Sequence, residues 1–331
     1  MKELIKALVE AFGPSGSEDR VRELIAEQVR GLATKVEVDA LGNLIATVQG
    51  KGGGRRIMLA AHMDEIGVVI SHVDEKGFLR FQPLGGVQAR TLVGGRVRFA
   101  NGVRGAIGAE QKGLSPSDMP RIDELFIDVG ASSRETCPVQ VGDVGCFDRE
   151  FVDLGDRLMA KAFDDRIGCA ILVQVLRELG ETPHDVYLAF TVQEELGLRG
   201  AQTAAFGLDA DLGIAVDVTL TGDTPEAHTM AVALGKGPAI KVKDRGMLSH
   251  RGVRQWMVDT ARAAGVPYQL EVLEAGTTDG MAMQTTKAGL PVGVLSIATR
   301  NVHTPSEMVD YQDVLNSVRL LVELLRRPVE L

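Results

Sequence analysis

Val186-Tyr187-Leu188-Ala189-Phe190-Thr191-Val192 runs straight into Gln193-Glu194-Glu195-Leu196-Gly197. The apolar run is too short to cross a bilayer and suits a buried strand. Two adjacent carboxylates then stand where that strand ends, the place at which open α/β sheets carry ligands and catalysts. Neighbouring side chains at a strand end diverge, so one carboxylate can hold a metal while the other faces a substrate. Taken alone, a Glu-Glu pair is more often a solvated acidic turn. Its company elsewhere in the chain decides.

On either side the chain has an α/β rhythm. A helix over Ile167 to Leu179 precedes the strand and another follows Leu198. Leu212 to Val216 reads as a strand and Gly252 to Ala264 as a helix. Strands near Gln269 to Leu273 and Val292 to Ile297 have a helix between them, and a last helix covers about Tyr311 to Leu325. At the other end, Leu4, Ile5, Leu8, Val9 and Phe12 fall at helical spacing until Gly13-Pro14 stops them. Ser15 and Glu18 have capping-box spacing, opening a second helix through about Val29. Val36 to Val38 and Asn43 to Val48 read as a hairpin turned at Leu41-Gly42. Ile57 to Ala61 is a short strand running into His62-Met63-Asp64-Glu65. Strands alternating with helices imply a largely parallel sheet covered on both faces.

From about Val69 to Leu158 the texture changes. Glycines recur, short Val/Phe/Ile runs alternate with polar turns, and helical periodicity fades. This reads as an inserted small β-domain, barrel-like, with Ser115 to Pro120 its most loop-like part. The expected division is a discontinuous α/β domain, 1–68 and 159–331, split by an insert at 69–158.

With 331 residues, 45% hydrophobic and 24% charged, the chain suits a soluble globular protein with a sizeable core. A net charge of −9 argues against a broad nucleic-acid-binding face. Cys137, Cys146 and Cys169 form no CxxC pair, which suits a reducing compartment and argues against thiolate metal sites. No run is long enough for a membrane span, and the N-terminus reads as an amphipathic helix rather than a signal peptide. The expectation is a cytoplasmic protein with no nucleic-acid or membrane partner.

Five stretches place an acid or imidazole at a strand end or loop: His62-Met63-Asp64, Asp164-Asp165, Glu194-Glu195, Asp217 and His303. Imidazole and carboxylate donors without thiolates suit zinc, cobalt or manganese in a catalytic role. Each also fits a plainer role. His62 suits a sheet edge, Asp164-Asp165 a helix N-terminus, Asp217 a turn and His303 an ordinary loop.

Together and in this order they resemble the tetrahedral (TET) family of co-catalytic dinuclear metallo-aminopeptidases, some of which have carried endoglucanase labels. The matching text is His62-Met63-Asp64-Glu65, Ala162-Phe163-Asp164-Asp165-Arg166, Gln193-Glu194-Glu195-Leu196-Gly197-Leu198-Arg199-Gly200, Val216-Asp217-Val218 and Arg300-Asn301-Val302-His303-Thr304-Pro305. One departure is Thr277-Thr278-Asp279-Gly280, where many relatives have Gly-Thr-Asp-Ala. The resemblance implies two divalent ions per subunit, zinc or cobalt first and manganese next. It implies that Asp164 bridges them, that His62 and Asp217 complete one ion's ligands, and that Glu195 and His303 complete the other's. Asp64 would orient the His62 imidazole, and the Asp164–Asp165 bond would be cis. It further implies a homo-oligomer, dimers building a tetrahedral dodecamer through the insert and neighbouring surfaces.

Two ions about 3.5–4 Å apart can share a water, lower its pKa toward neutrality and polarise a peptide carbonyl. Glu194, without a metal in this scheme, is free to take the proton and pass it to the departing amine. No GxSxG elbow, P-loop or HExxH competes. The expected activity is removal of N-terminal residues from peptides, with a carboxypeptidase or N-acyl deacylase as the nearest alternative. A glycosidase is less favoured, since one Trp and three Tyr are few for sugar subsites. A non-catalytic binding protein would require broken ligands. Arg300 or Lys287 would favour acidic N-terminal residues if either reached the site. His72, His184 and His228 read as surface residues, and His250 as structural or interfacial.

Overall fold

The computed structural model describes residues 1–110 and 119–331, so most of the Ser115-to-Pro120 loop lies outside the described residues. Four parallel strands form the centre: Asp185–Thr191, Arg56–His62, Leu212–Thr219 and Val292–Arg300. They sit in a sheet of eleven strands whose flanks are mixed. Leu44–Val48 and Lys35–Val38 add an antiparallel hairpin on one side, the one expected around Leu41-Gly42. Beyond Val292–Arg300 the neighbours Glu307–Asp310 and Arg157–Ala160 are antiparallel too. The expected parallel sheet is thus the middle of a mixed one.

The central strands are mostly apolar because helices cover both faces. Along Arg56–His62 the side chains alternate between two cores. Ile57, Leu59 and Ala61 join a large core under the helices Lys2–Glu10, Asp19–Val29, Phe163–Leu179 and Tyr311–Arg326. Met58 and Ala60 face the shorter helices Arg199–Gly207 and Asp279–Gln284. That second face is lined with small residues, Ala60, Ala189 and Ala215, so these helices lie close to the sheet. At Gly213 any Cβ would run into the Met283 side chain.

Register does the positioning. Thr191 pairs with His62 and Asp217 with Ser296, so the carboxyl ends of the central strands lie level. Between His62 and Val152 the chain leaves the sheet. Strands Gly67–Val73, Leu79–Leu84, Leu125–Asp128, Arg104–Ala109, Arg96–Phe99 and Val144–Phe147 close a barrel in that order, with its own core around Val68, Phe81, Val97 and Ile127. Val152–Asp153 and Arg157–Ala160 are already back in the large sheet. No helix among the described residues is long and apolar enough to cross a membrane.

Two local expectations are corrected. The second helix begins at Asp19 without a side-chain cap. Ser15 instead donates to Asp64 Oδ2 at 2.6 Å, while Glu18 Oε1 accepts from the Gly16 and Gln193 amides. The Ser15 hydroxyl is drawn to a partner distant in sequence, and Glu18 Oε1 is shared between the nearby Gly16 amide and the distant Gln193 amide, so the expected reciprocal cap does not form. His184 is buried rather than on the surface. Its Nδ1 accepts from the Arg55 amide at 2.8 Å and its Nε2 lies 2.8 Å from the Arg327 carbonyl, tying the loop before its strand to the C-terminal segment. His250 caps the helix Arg251–Ala264, a structural role.

Where barrel, sheet and N-terminal helix meet, three charges are buried together. Glu65 accepts from Lys161 Nζ at 2.6 Å and lies 3.3 Å from an Arg166 guanidinium nitrogen. Arg166 also donates to the carbonyls of Leu8 and Gly13. One carboxylate therefore balances two buried cations. Glu65→Leu strands both and is expected to lower unfolding free energy by about 3–5 kcal/mol, read as a reduced urea midpoint.

Candidate metal centre

The site brings together side chains from five separate parts of the chain. Asp164 stands between the two imidazoles. Its Oδ1 is 3.0 Å from His62 Nε2 and its Oδ2 is 3.1 Å from His303 Nε2. Asp217 Oδ1 lies 3.9 Å from His62 Nε2, and Glu195 Oε1 lies 3.2 Å from His303 Nε2. Two donor groups result, His62/Asp164/Asp217 and Asp164/Glu195/His303, each with its ligand atoms within 4.8 Å of one another. Glu194 Oε2 is 3.8 Å from His62 Nε2, and among the described residues no hydrogen bond ties its carboxylate.

The loops carrying these groups are held from behind. Asp64 Oδ1 accepts from the Glu194 amide at 3.0 Å and Oδ2 from the Glu195 amide at 3.2 Å. His62 Nδ1 lies 3.1 Å from the Asp64 carbonyl and 3.4 Å from its Oδ1. One buried residue thus touches both the imidazole and the Glu-Glu loop. Asp165 Oδ2 accepts from the His62 amide, and the Asp164–Asp165 peptide bond is cis. Gln193, Leu198 and His303 have positive φ. Such backbone in non-glycine residues concentrates where function fixes the geometry.

Glu307 is a residue that sequence reasoning missed. It is buried, and its two oxygens accept from the amides of Asp164 and His303, each at 3.0 Å. An acid four residues beyond His303 carries no signal of its own, because its partner Asp164 lies 143 positions away. The barrel also reaches in. The Gly86 amide lies 3.4 Å from Glu195 Oε2, and a Cβ at Gly86 would collide with the His303 ring.

Charge crowding shifts the titrations. Burial alone would push His62 down, but Asp164, Asp64 and Glu194 outweigh it and hold its pKa well above the usual value. His303 likewise resists burial and is pushed up to about 12 by Asp164 and Glu195. Burial raises Glu194 well above an ordinary glutamate, with Asp217, Glu195 and Asp279 adding to it against His62. Burial and the Asp164 charge also raise Asp217, opposed by His62 and Lys241.

The donor set fits divalent cations. It consists of imidazole nitrogens and carboxylate oxygens, and among the described residues the buried Glu195 Oε1 lacks any donor in hydrogen-bonding geometry. Cys169, whose thiol donates to the His62 carbonyl at 3.1 Å, is pushed well above its usual pKa by burial and is no ligand. A cavity of about 510 Å³ opens onto the donors. Neither Arg300 nor Lys287 is among its lining residues. Arg300 forms a two-pronged pair with Asp223, and Lys287 donates to the Leu208 carbonyl elsewhere.

A central parallel sheet with nitrogen and oxygen donors converging at its carboxyl edge sets a candidate cation site where open α/β sheets carry their ligands. Residues 42–320 match the M42 glutamyl aminopeptidase family, and the chain belongs to that family of peptide hydrolases. It is 36% identical to the lysyl aminopeptidase of Pyrococcus furiosus over 98% of this chain and 96% of that one. Its structure is similar to that of an aminopeptidase from the archaeon Desulfurococcus kamchatkensis, with TM-score 0.95 and 42% identity over 98% and 94% of the two chains. It is similar, too, to the TET1 peptidase of Pyrococcus horikoshii, described as assembling into a tetrahedron or a large octahedral shell, with TM-score 0.88 and 32% identity over 98% of each.

In the metal-free chain these shifts leave protons on His62 and His303 at neutral pH. A cation requires the neutral ring, so loading should release protons and affinity should rise with pH. Calorimetry in buffers of different ionisation enthalpy measures this, and proton uptake would contradict it. Glu307→Gln, keeping size but losing one acceptor, should weaken cation affinity by roughly 10–100-fold, read by equilibrium dialysis.

Proposed function

We propose that the chain is an aminopeptidase using two divalent cations, zinc, cobalt or manganese, with His62 and Asp217 holding one, Glu195 and His303 the other, and Asp164 giving an oxygen to each. The observation that carries this reading is the Asp164 carboxylate, with a different imidazole about 3 Å from each oxygen. When bound, such a pair polarises the scissile carbonyl and lowers the pKa of water at the site.

Glu194 is the general base. Its carboxylate is untied by hydrogen bonds among the described residues and faces the cavity. Burial raises its proton affinity, which suits a group that takes a proton and returns it to the departing amine. Asp64 acts through the Glu194 and Glu195 amides, fixing base and ligand relative to each other. Glu307 fixes Asp164 relative to His303 in the same way.

The preference for the amino end comes from the family. The cavity lining contains no aromatic residue among those described, which disfavours stacked sugar and hence the glycosidase alternative. By analogy with the shell-forming relative, subunits associate as dimers into a tetrahedral dodecamer through the barrel, the insert expected at 69–158, with the remainder of the chain as the catalytic domain. Such a shell admits short unfolded peptides. Three unpaired cysteines suit a cytoplasmic setting.

Peptides with free amines should be cut from that end, while acetylated ones should resist; cleavage from the carboxyl end, or of N-acetyl groups alone, would favour the alternatives. Glu194→Gln should lower kcat by about 10²–10⁴ with cation content unchanged, as counted by inductively coupled plasma mass spectrometry.

A further inference from the structure

The cavity beside the donor groups has a chemical character of its own. Beyond the acids, its walls include Leu198, Val218, Leu220, Leu273 and Val302. Thr219 also lines it, but its hydroxyl is engaged, donating to the buried Glu271 at 2.8 Å. Among the described residues no lysine or arginine lines this space.

Of the basic groups on neighbouring elements, Lys241 and Arg300 are already committed, and Arg245, whose amide donates to the Gly276 carbonyl at 3.1 Å, is exposed and not among the lining residues. Lys241 is fully buried, 2.9 Å from Glu271 and 3.4 Å from Asp244. Arg300 is held by Asp223, whose pKa that guanidinium draws down to about 2. An acidic side chain entering here would lose water and meet no lysine or arginine on the described walls, only the neutral Gln88 amide and Thr277 hydroxyl. A basic one would meet acids already assigned to cations and proton transfer, and would rest its charge on apolar walls. An aliphatic or thioether side chain loses little and covers those walls. The space has the volume typical of small-ligand pockets.

We infer that the residue removed is one with an uncharged apolar side chain of the leucine or methionine class, rather than an acidic or basic one. This rests on the aminopeptidase reading above and adds the identity of the side chain to it. Leu220 and Leu273 are the specificity residues, being large apolar lining side chains that directly follow the strands Leu212–Thr219 and Gln269–Val272. Selectivity of this kind is set by matched burial, and each carbon of mismatch costs roughly tenfold or more.

The test is a panel of aminoacyl-p-nitroanilides on the cation-loaded enzyme. Leucine and methionine should exceed alanine in kcat/KM by about tenfold or more, and glutamate and lysine by about a hundredfold. In Leu220→Lys, and independently in Leu273→Lys, the glutamate-to-leucine ratio should rise by about tenfold or more, with cation content unchanged. A wild-type preference for glutamate or lysine would overturn the inference, as would an unchanged ratio in both variants. Hydrolysis of no free-amine substrate would instead refute the aminopeptidase reading. Calorimetric binding of free leucine against glutamate and lysine then decides the pocket's preference separately, tighter glutamate or lysine overturning it.

Discussion

The structure depends on keeping several like charges in one dry place. Asp164, Glu194, Glu195 and Asp217 share a pocket with two imidazoles, and Asp64, Asp165, Asp279 and Glu307 stand close behind. Carboxylates so crowded repel one another and resist leaving water. Burial and mutual repulsion raise the proton affinities of Asp165, Glu194, Glu195, Asp217, Asp279 and Glu307, while the neighbouring imidazoles hold those of Asp164 and Asp64 down. Positive charge relieves that repulsion, whether as protons on His62 and His303 or as the proposed cations. Anything that binds only the folded arrangement also stabilises it, by about 2.7 kcal/mol at a hundredfold excess over Kd. The geometry that prepares the chemistry is therefore the least comfortable part of the fold without its counter-charge.

What resists that stress is backbone rather than side chain. The four central strands end level, and the amides just beyond them point at buried carboxylates. Asp64 receives the amides of Glu194 and Glu195, Asp165 that of His62, and Glu307 those of Asp164 and His303. Each of these amides donates to a carboxylate oxygen at 3.0–3.2 Å. The side chains nearest the chemistry are placed by acids that never face the cavity.

This division explains what could be read from the chain. The strand-end acids were legible because an apolar run broken by Asp or Glu marks a sheet edge, and the barrel because glycine spacing replaces helical periodicity. The donor set was legible through resemblance, as a combination of weak signals. Glu307 was not, since an isolated acid after Thr304-Pro305 looks like any loop residue until Asp164 is brought to it. Ser15 and Glu18 misled for the same reason. Their spacing fits a helix cap, but Asp64 and the Gln193 amide, far along the chain, take their oxygens. His184 looked exposed beside Pro183 because nothing local announces that the Arg327 carbonyl will cover it. Gly86 carries meaning only through the ring it must not touch.

Arg166 adjoins Asp165 in sequence and grips the carbonyls of Leu8 and Gly13, so the first dozen residues are moored directly to the segment that bears Asp164. An affinity handle or a trimming site at the amino terminus would tug on that mooring. The carboxyl-terminal residues hold onto the His184 loop, beside Asp185 at the opposite end of the strand from Glu194. For labelling, tethering to a surface or fusing to a reporter, the tail is the gentler point of attachment.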